Sequence, residues 1–245
     1  MKNKILKALL ITVLLEFLIL GFFSFKTKDN YEYQIQEINL DNQAQPTQTN
    51  TDDQPAKASI KSSTPWMSYL DVPFVCQAPL QTEKNWELHE ESCEEAAVLQ
   101  AYLYETNTTI SREEANTEIL KMIDWEVENF GAHKDLYADD LKKFINGYYQ
   151  IPLENIEIIY DATLENIREE ISQKHPVIVP IMGDVLKNPY YPYPGYHMLV
   201  VTGYTQDKII TNDNGTRRGE DFAYDKNIFM KAMTAAGGDI VIIKN

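Results

Sequence analysis

Glu91-Ser92-Cys93-Glu94-Glu95-Ala96-Ala97 places a thiol at the start of a predicted helix, and roughly a hundred residues later Gly195-Tyr196-His197-Met198-Leu199-Val200-Val201-Thr202-Gly203-Tyr204 places an imidazole in a predicted strand. A third stretch, Thr211-Asn212-Asp213-Asn214-Gly215-Thr216-Arg217-Arg218-Gly219, adds a carboxylate, giving the chain order Cys, His, Asp. A thiol nucleophile, an imidazole base and a group that orients the ring are the parts of a cysteine hydrolase. The thiol comes from a helical region and the other two from a strand-rich one, so the fold has to bring a helix start against a sheet.

Working outward, Ser92 and Glu95 spell a capping box, which predicts a helix over 92–105 stopped by Thr106-Asn107. Ser111 and Glu114 repeat the signature and predict a second helix over 111–123, and spaced apolar residues predict two more over 136–146 and 163–174. The texture then changes. Val177 to Met182 is a short, mostly β-branched run, and 196–204, 208–211 and 240–243 read as strands, the middle pair joined at Thr205-Gln206-Asp207. An extended segment over 70–77 leads into the first helix. Helices first and strands second describe an α+β fold, with the Cys93 helix packed on a mostly antiparallel sheet that carries His197 and Asp213.

A helix N-terminus favours a thiolate, because unpaired backbone N–H groups point at the sulfur. Glu90, Glu91 and Glu94 oppose it, so Cys93 needs a cationic partner. Of the four histidines only His197 stands in a predicted strand, on one face with Leu199, Val201 and Gly203; His89, His133 and His175 fall in loop contexts. Hairpin register selects the ring's partner. An odd-numbered loop over Thr205–Asp207 brings Asp213 to the face of His197, whereas a two-residue loop brings Asn212 there instead, since a one-residue slip exchanges the faces. The side-chain amide of Gln77 and the backbone N–H of Cys93 are candidate donors for a tetrahedral oxyanion. Two cysteines in an exported chain often pair, but if Gln77 faces the helix start, Cys76 faces away from it and cannot bridge to Cys93. His89-Glu90-Glu91-Ser92-Cys93 lacks the second ligand pair of a zinc site, so no metal is expected. Arg217 and Arg218 read as clamps on the loop that follows Asp213 or as partners for a substrate carboxylate, the structural role being preferred, and the aromatic, Pro-rich stretch from Asn188 to Gly195 as a rigid connector or a lip of the substrate groove.

The ends set the organisation. Lys2, Lys4 and Lys7 precede an apolar run from Ala8 to Phe25 broken only by Glu16, and Lys26 and Lys28 close it. Residues 1–27 therefore read as a membrane anchor or signal peptide, with the rest of the chain extracytoplasmic or secreted. Gly-Phe-Phe-Ser-Phe-Lys lacks a small-x-small cleavage pattern, which favours the uncleaved anchor. Residues 28–65 are polar and poor in apolar side chains, a disordered linker, and 66–245 form the domain. A net charge of −15 over 245 residues argues against nucleic acid and against adhesion to an anionic membrane face. No repeat, phosphate-cradling loop or cofactor motif is present.

Together these stretches resemble the C-thirty-nine-like cysteine peptidases of the papain-like superfamily, related to the peptidase domains that remove double-glycine leaders from bacteriocins. The resemblance runs from Leu70 to Asn245 and is carried by Val72-Pro73-Phe74 leading to Gln77, by Cys93-Glu94-Glu95-Ala96, by the strand around His197 and by Asn212 to Gly219. It implies a papain-like fold with Cys93 as nucleophile, His197 as general base, Asp213 rather than Asn212 as orienting group and Gln77 as oxyanion donor. A peptide or protein would be the substrate. The chain departs from the family at Asn214, where Pro usually follows the Asp. The leader-cleaving relatives are fused to a transporter that these residues do not encode, so their substrate is not carried over. Two other functions fit the same fold: a non-catalytic surface module that holds a peptide or wall fragment, and transglutaminase-like or amidase acyl transfer.

Overall fold

Helix α1, Cys93–Glu105, is buried around nearly its whole circumference: every residue from Cys93 to Ala101 is enclosed, the polar Glu94, Glu95 and Gln100 among them. A helix of that kind can only sit inside a domain. In the computed structural model it packs on the central strand of a seven-stranded sheet. The structure describes residues 64–81, 86–191 and 195–244; the expected anchor at 1–27 and the linker as far as residue 63 lie outside them.

The described elements are β1 (Ser68–Tyr69), α1, α2 (Arg112–Phe130), α3 (Ala138–Tyr149), β2 (Ile156–Ile159), α4 (Leu164–Ser172), β3 (Val177–Met182), α5 (Gly183–Leu186), β4 (Tyr196–Tyr204), β5 (Lys208–Asn212), β6 (Phe222–Asp225), α6 (Lys226–Ala235) and β7 (Ile240–Ile243). The strands run in the order β2-β7-β3-β4-β5-β6, every pair antiparallel, and β1 pairs with the end of β4. From Val177 to Ile181 and from His197 to Tyr204 every residue is buried, so both faces of the sheet centre are covered. The fold is α+β, as expected, although the elements interleave more than a helices-then-strands order allows. β2 precedes α4, and α6 lies between β6 and β7.

Local chemistry explains where the helices start and stop. Ser111 and Glu114 form a reciprocal capping box at α2, and Thr163 with Asn166 forms one at α4. α2 continues past its expected stop near Ile123 because Trp125 extends the apolar face against Phe130 and Phe144. It ends at Gly131, whose φ of 84° suits a residue without Cβ. α6 begins where Asp225 accepts from the N–H groups of Asn227 and Ile228. The box expected at Ser92 does not form: Ser92 is the N-cap of α1, but its side chain makes no capping bond. Glu95 turns instead into the interior, where its Oε1 lies 2.9 Å from His133 Nε2. The segment 70–77 is extended only in part and belongs to no strand; the short pairing to β4 is made just before it, at Ser68 and Tyr69.

Candidate active site

Cys93 is the first residue of α1 and is buried, with only 4% of its surface exposed. Its Sγ lies 2.9 Å from Glu94 Oε2, and the backbone N–H of Met198, next to His197 on β4, also reaches the sulfur. Burial pushes the thiol well above its ordinary value, an ionised Glu94 would raise it further through its charge and hydrogen bond, and the Met198 N–H pulls the other way. The resting sulfur is thus a thiol. The helix terminus does not outweigh desolvation here, because the flanking acid is buried with it.

His197 and Asp213 meet through a register change inside the β4–β5 hairpin. At the turn Tyr204 pairs with Ile209 and Thr205 N–H donates to Lys208 O, the register of the two-residue loop. A bulge between Val201 and Gly203 then shifts the pairing by one, so that Val201 faces Thr211 and Val200 faces Asn212. Continued past the strand end, the shifted register brings Asp213 to the face of His197. His197 Nε2 lies 3.0 Å from Asp213 Oδ1. Asn212 points elsewhere: its side chain donates to Val72 O at 2.8 Å and accepts from Asp221 N–H at 3.3 Å.

Asp213 is fully buried and surrounded by donors. Gly215 N–H reaches Oδ1 at 3.2 Å, and Asn188 Nδ2 and the Tyr191 hydroxyl reach Oδ2 at 3.1 Å each, with the Tyr224 hydroxyl also donating there. Burial raises the carboxyl, but the hydrogen bond and charge of His197, with Tyr224 and Asn188 behind them, outweigh it and hold Asp213 below its usual range. The carboxylate is therefore a fixed anion. Two glycines permit this packing. A Cβ on Gly219 would stand 1.8 Å from Asp213 O, and one on Gly215 would stand 3.0 Å from His197 Cε1. Sequence reading misses Asn188, Tyr191 and Tyr224 as parts of the site. The loop from Asn188 to Gly195 is more than a lip or a connector, since its described residues supply two of the donors that hold Asp213.

Gln77 lines the same cleft as Cys93 and His197, a cavity of about 350 Å³ that also touches Trp86, Asp135 and Gly215. Its backbone N–H donates to Asn214 O, and its side-chain Nε2 donates to the carbonyls of His89 (3.0 Å) and Glu90 (3.1 Å). Asn214, standing where Pro usually does, uses its side chain to donate to Cys93 O at 2.9 Å. The loop after Asp213 is thereby pinned to both α1 and Gln77. Cys76 and Cys93 are free thiols in separate cavities; Cys76 sits in one of about 230 Å³ beside Arg112 and Arg217. Arg217 donates to Gln81 O, and Arg218 stacks over Tyr190, 4.9 Å from the ring centroid. Among the described residues no group of three or more His, Cys, Asp or Glu is arranged to hold a metal ion.

A family model for the Peptidase_C39 like family matches residues 69–240. The chain belongs to this family. The match spans the Gln77 segment, the α1 start and the β4–β5 hairpin, so all the parts of the C39-like cleft lie within it. No curated protein matches the sequence. Among solved structures, an inferred C39-like peptidase from Bacillus anthracis aligns over 73% of this chain and 98% of its own, with a TM-score of 0.51 at 14% identity. That likeness speaks for the fold. A fragment of prointerpain A from Prevotella intermedia, carrying a cysteine-to-alanine mutation, aligns over 55% of this chain and 43% of its own at 18% identity. Its TM-score of 0.37 is too low to speak for a shared fold. Among the described residues no helix is long and apolar enough to cross a membrane, and the anchor expected at 1–27 lies outside them.

Proposed function

We propose that this C39-like chain is a cysteine peptidase acting on an extracytoplasmic peptide or protein, tethered to the membrane by its N-terminal apolar run, with Cys93, His197 and Asp213 as its catalytic residues. The observation that carries the reading is the pairing of His197 Nε2 with a fixed Asp213 carboxylate at 3.0 Å, in a ring that lines the cleft holding Cys93. With Nε2–H donating to Asp213, Nδ1 is the nitrogen left to accept a proton.

In this mechanism His197 Nδ1 takes the Cys93 proton and the thiolate attacks the scissile carbonyl carbon. The resulting oxyanion is met by the Cys93 N–H at the start of α1 and by Gln77, whose amide turns from one of its two carbonyl partners. Collapse breaks the C–N bond, and the imidazolium returns its proton to the leaving amine. Water activated by the same ring then hydrolyses the thioester, releasing the acid and the thiol. The resting thiol and the occupied Gln77 amide both require substrate to complete the constellation.

Those same two features favour a second reading, a peptide-binding module on the C39-like fold that does not cleave. The test is digestion of a mixed peptide library by the full chain and by Cys93→Ala, with products identified by mass spectrometry. Cleavage by the parent and none by the variant supports the peptidase; equal cleavage, or saturable binding without products in either, overturns it.

A further inference from the structure

We propose that Glu94 is a further catalytic residue of this cleft, a neutral carboxylic acid whose Oε2–H donates to Cys93 Sγ and stabilises the thiolate formed when His197 takes the thiol proton. The proposal rests on the reading of Cys93 and His197 as nucleophile and base.

The hydrogen-bond partners assign the proton. Glu94 has no exposed surface, and its Oε1 accepts from Leu136 N–H at 3.1 Å, which makes Oε1 the carbonyl oxygen of the acid. Oε2, the oxygen left over, is 2.9 Å from Sγ, a contact in which S–H donates to an ionised Glu94 and whose direction reverses once Oε2 carries the proton. Among the described residues no Lys, Arg or His forms an ion pair with Glu94, and the charged groups that act on it, Glu95 and Asp135, have its own sign. A buried carboxylate without a cation is unfavourable, and neutralisation relieves it. Burial and the charge of Glu95 accordingly push this carboxyl well above the usual range.

Proton counting points the same way. A thiol carries one proton. If Glu94 were an anion, S–H would donate to Oε2 and be withheld from His197, while a negative charge beside the sulfur would oppose thiolate formation. With the proton on Oε2, S–H is free to reach the imidazole. After transfer, the sulfur anion accepts from Glu94 O–H and from Met198 N–H. The Glu94 proton stays on its oxygen through the cycle; the one that travels is the thiol's. Leu136 fixes the geometry from behind, since its carbonyl accepts from Tyr196 OH at 3.1 Å, one residue before His197.

The test is the rate of Cys93 alkylation by iodoacetamide between pH 5 and 9 in the full chain, read by peptide mass spectrometry so that Cys76 is scored separately. Glu94→Leu should raise the apparent thiol pKa by about one unit and slow alkylation about tenfold at pH 7. Glu94→Gln keeps a donor toward Sγ and an acceptor toward Leu136, and should recover most of that loss. Faster alkylation than the parent in both variants would overturn the proposal, because it would mean that Glu94 is a suppressing anion. Should Glu94→Leu fail to fold, infrared difference spectra of the parent before and after alkylation decide. A carboxylic C=O band that shifts on alkylation, and is missing in Glu94→Gln, supports the neutral acid; a change in carboxylate bands alone overturns it. His197→Ala tests the underlying reading separately, since an unaltered alkylation profile there removes the base and leaves the infrared result standing.

Discussion

His197 Nε2 and Asp213 Oδ1 stand 3.0 Å apart because a bulge in the β4–β5 hairpin moves the strands one residue out of the register set by their turn. Asp213→Asn should therefore lower turnover by roughly 10²–10⁴-fold, since an amide can leave the ring in the wrong tautomer. Asn212→Ala is the control. It loses the 2.8 Å bond to Val72 O and should cost about 1 kcal/mol of stability without altering the pH profile of Cys93 alkylation. Steady-state kinetics and urea unfolding of the two variants check the assignment; a larger catalytic loss at Asn212 would reverse it.

Tyr224 and Tyr191 both donate to Asp213 Oδ2, and burial followed by the Asp213 charge pushes both phenols upward, so they remain donors. Tyr224→Phe also deprives Asn188 of a partner at 2.6 Å. The expected cost is about 1.5–3 kcal/mol, the range for hydrogen bonds to a charged group. Denaturant unfolding at neutral pH measures it. Because Asp213 is held below its ordinary value, this stabilisation is present above pH 3.8 and fades as pH falls through the folded value. The gap between parent and variant should close in acid.

Gly215 and Gly219 should behave differently as alanines. A methyl on Gly219 meets the Asp213 carbonyl oxygen at 1.8 Å, so Gly219→Ala should lose the native loop and much of the stability. A methyl on Gly215 meets the edge of the His197 ring at 3.0 Å, so Gly215→Ala should fold and lose activity as the ring shifts. Melting curves and turnover, measured together, separate the two outcomes.

Beneath the α1 start Glu95 and Glu126 are buried against each other. Desolvation is the main cause that raises both, with Glu95 at about 7 and Glu126 at about 9. The folded state thus holds these protons more tightly than the unfolded chain does. The stability they contribute is full below pH 4.5 and declines as pH rises through those two values. The melting temperature should fall between pH 7 and 9, and Glu126→Gln should flatten that fall. His133, 2.9 Å from Glu95, works against the rise at Glu126. A slope unchanged in Glu126→Gln would place the sensitivity elsewhere.

Gln77 donates to two backbone carbonyls, so Gln77→Glu should destabilise the cleft more than Gln77→Ala. The carboxylate loses both donors and faces two carbonyl oxygens, whereas the alanine leaves only unpaired acceptors. Thermal unfolding of the two variants gives the order.

Much of the fold was legible in the chain. The strand around His197 was read with its observed bounds, and the capping signature at Ser111 and the spaced apolar residues over 163–174 marked real helices, because these signals act over a few residues. The short strands Ile156–Ile159 and Phe222–Asp225 were missed, since each mixes apolar residues with an acid over only four positions, whereas the equally short Ile240–Ile243 is apolar throughout and stands out. The Ser92 box failed because Glu95 finds burial near His133 and Glu126 rather than the helix cap, and those groups lie far away in sequence.

By itself the sequence determined the kind of parts: a thiol at a helix start, an imidazole in a central strand, two candidate orienters one residue apart, and an α+β division between them. Tertiary structure decided which parts meet. The bulge at Thr202 selected Asp213 over Asn212, three donors from the 188–191 loop and β6 fixed that carboxylate as an anion, and enclosure turned Glu94 from a surface acid into a buried neighbour of the sulfur. Such outcomes depend on register and desolvation, and both are properties of residues brought together from distant parts of the chain.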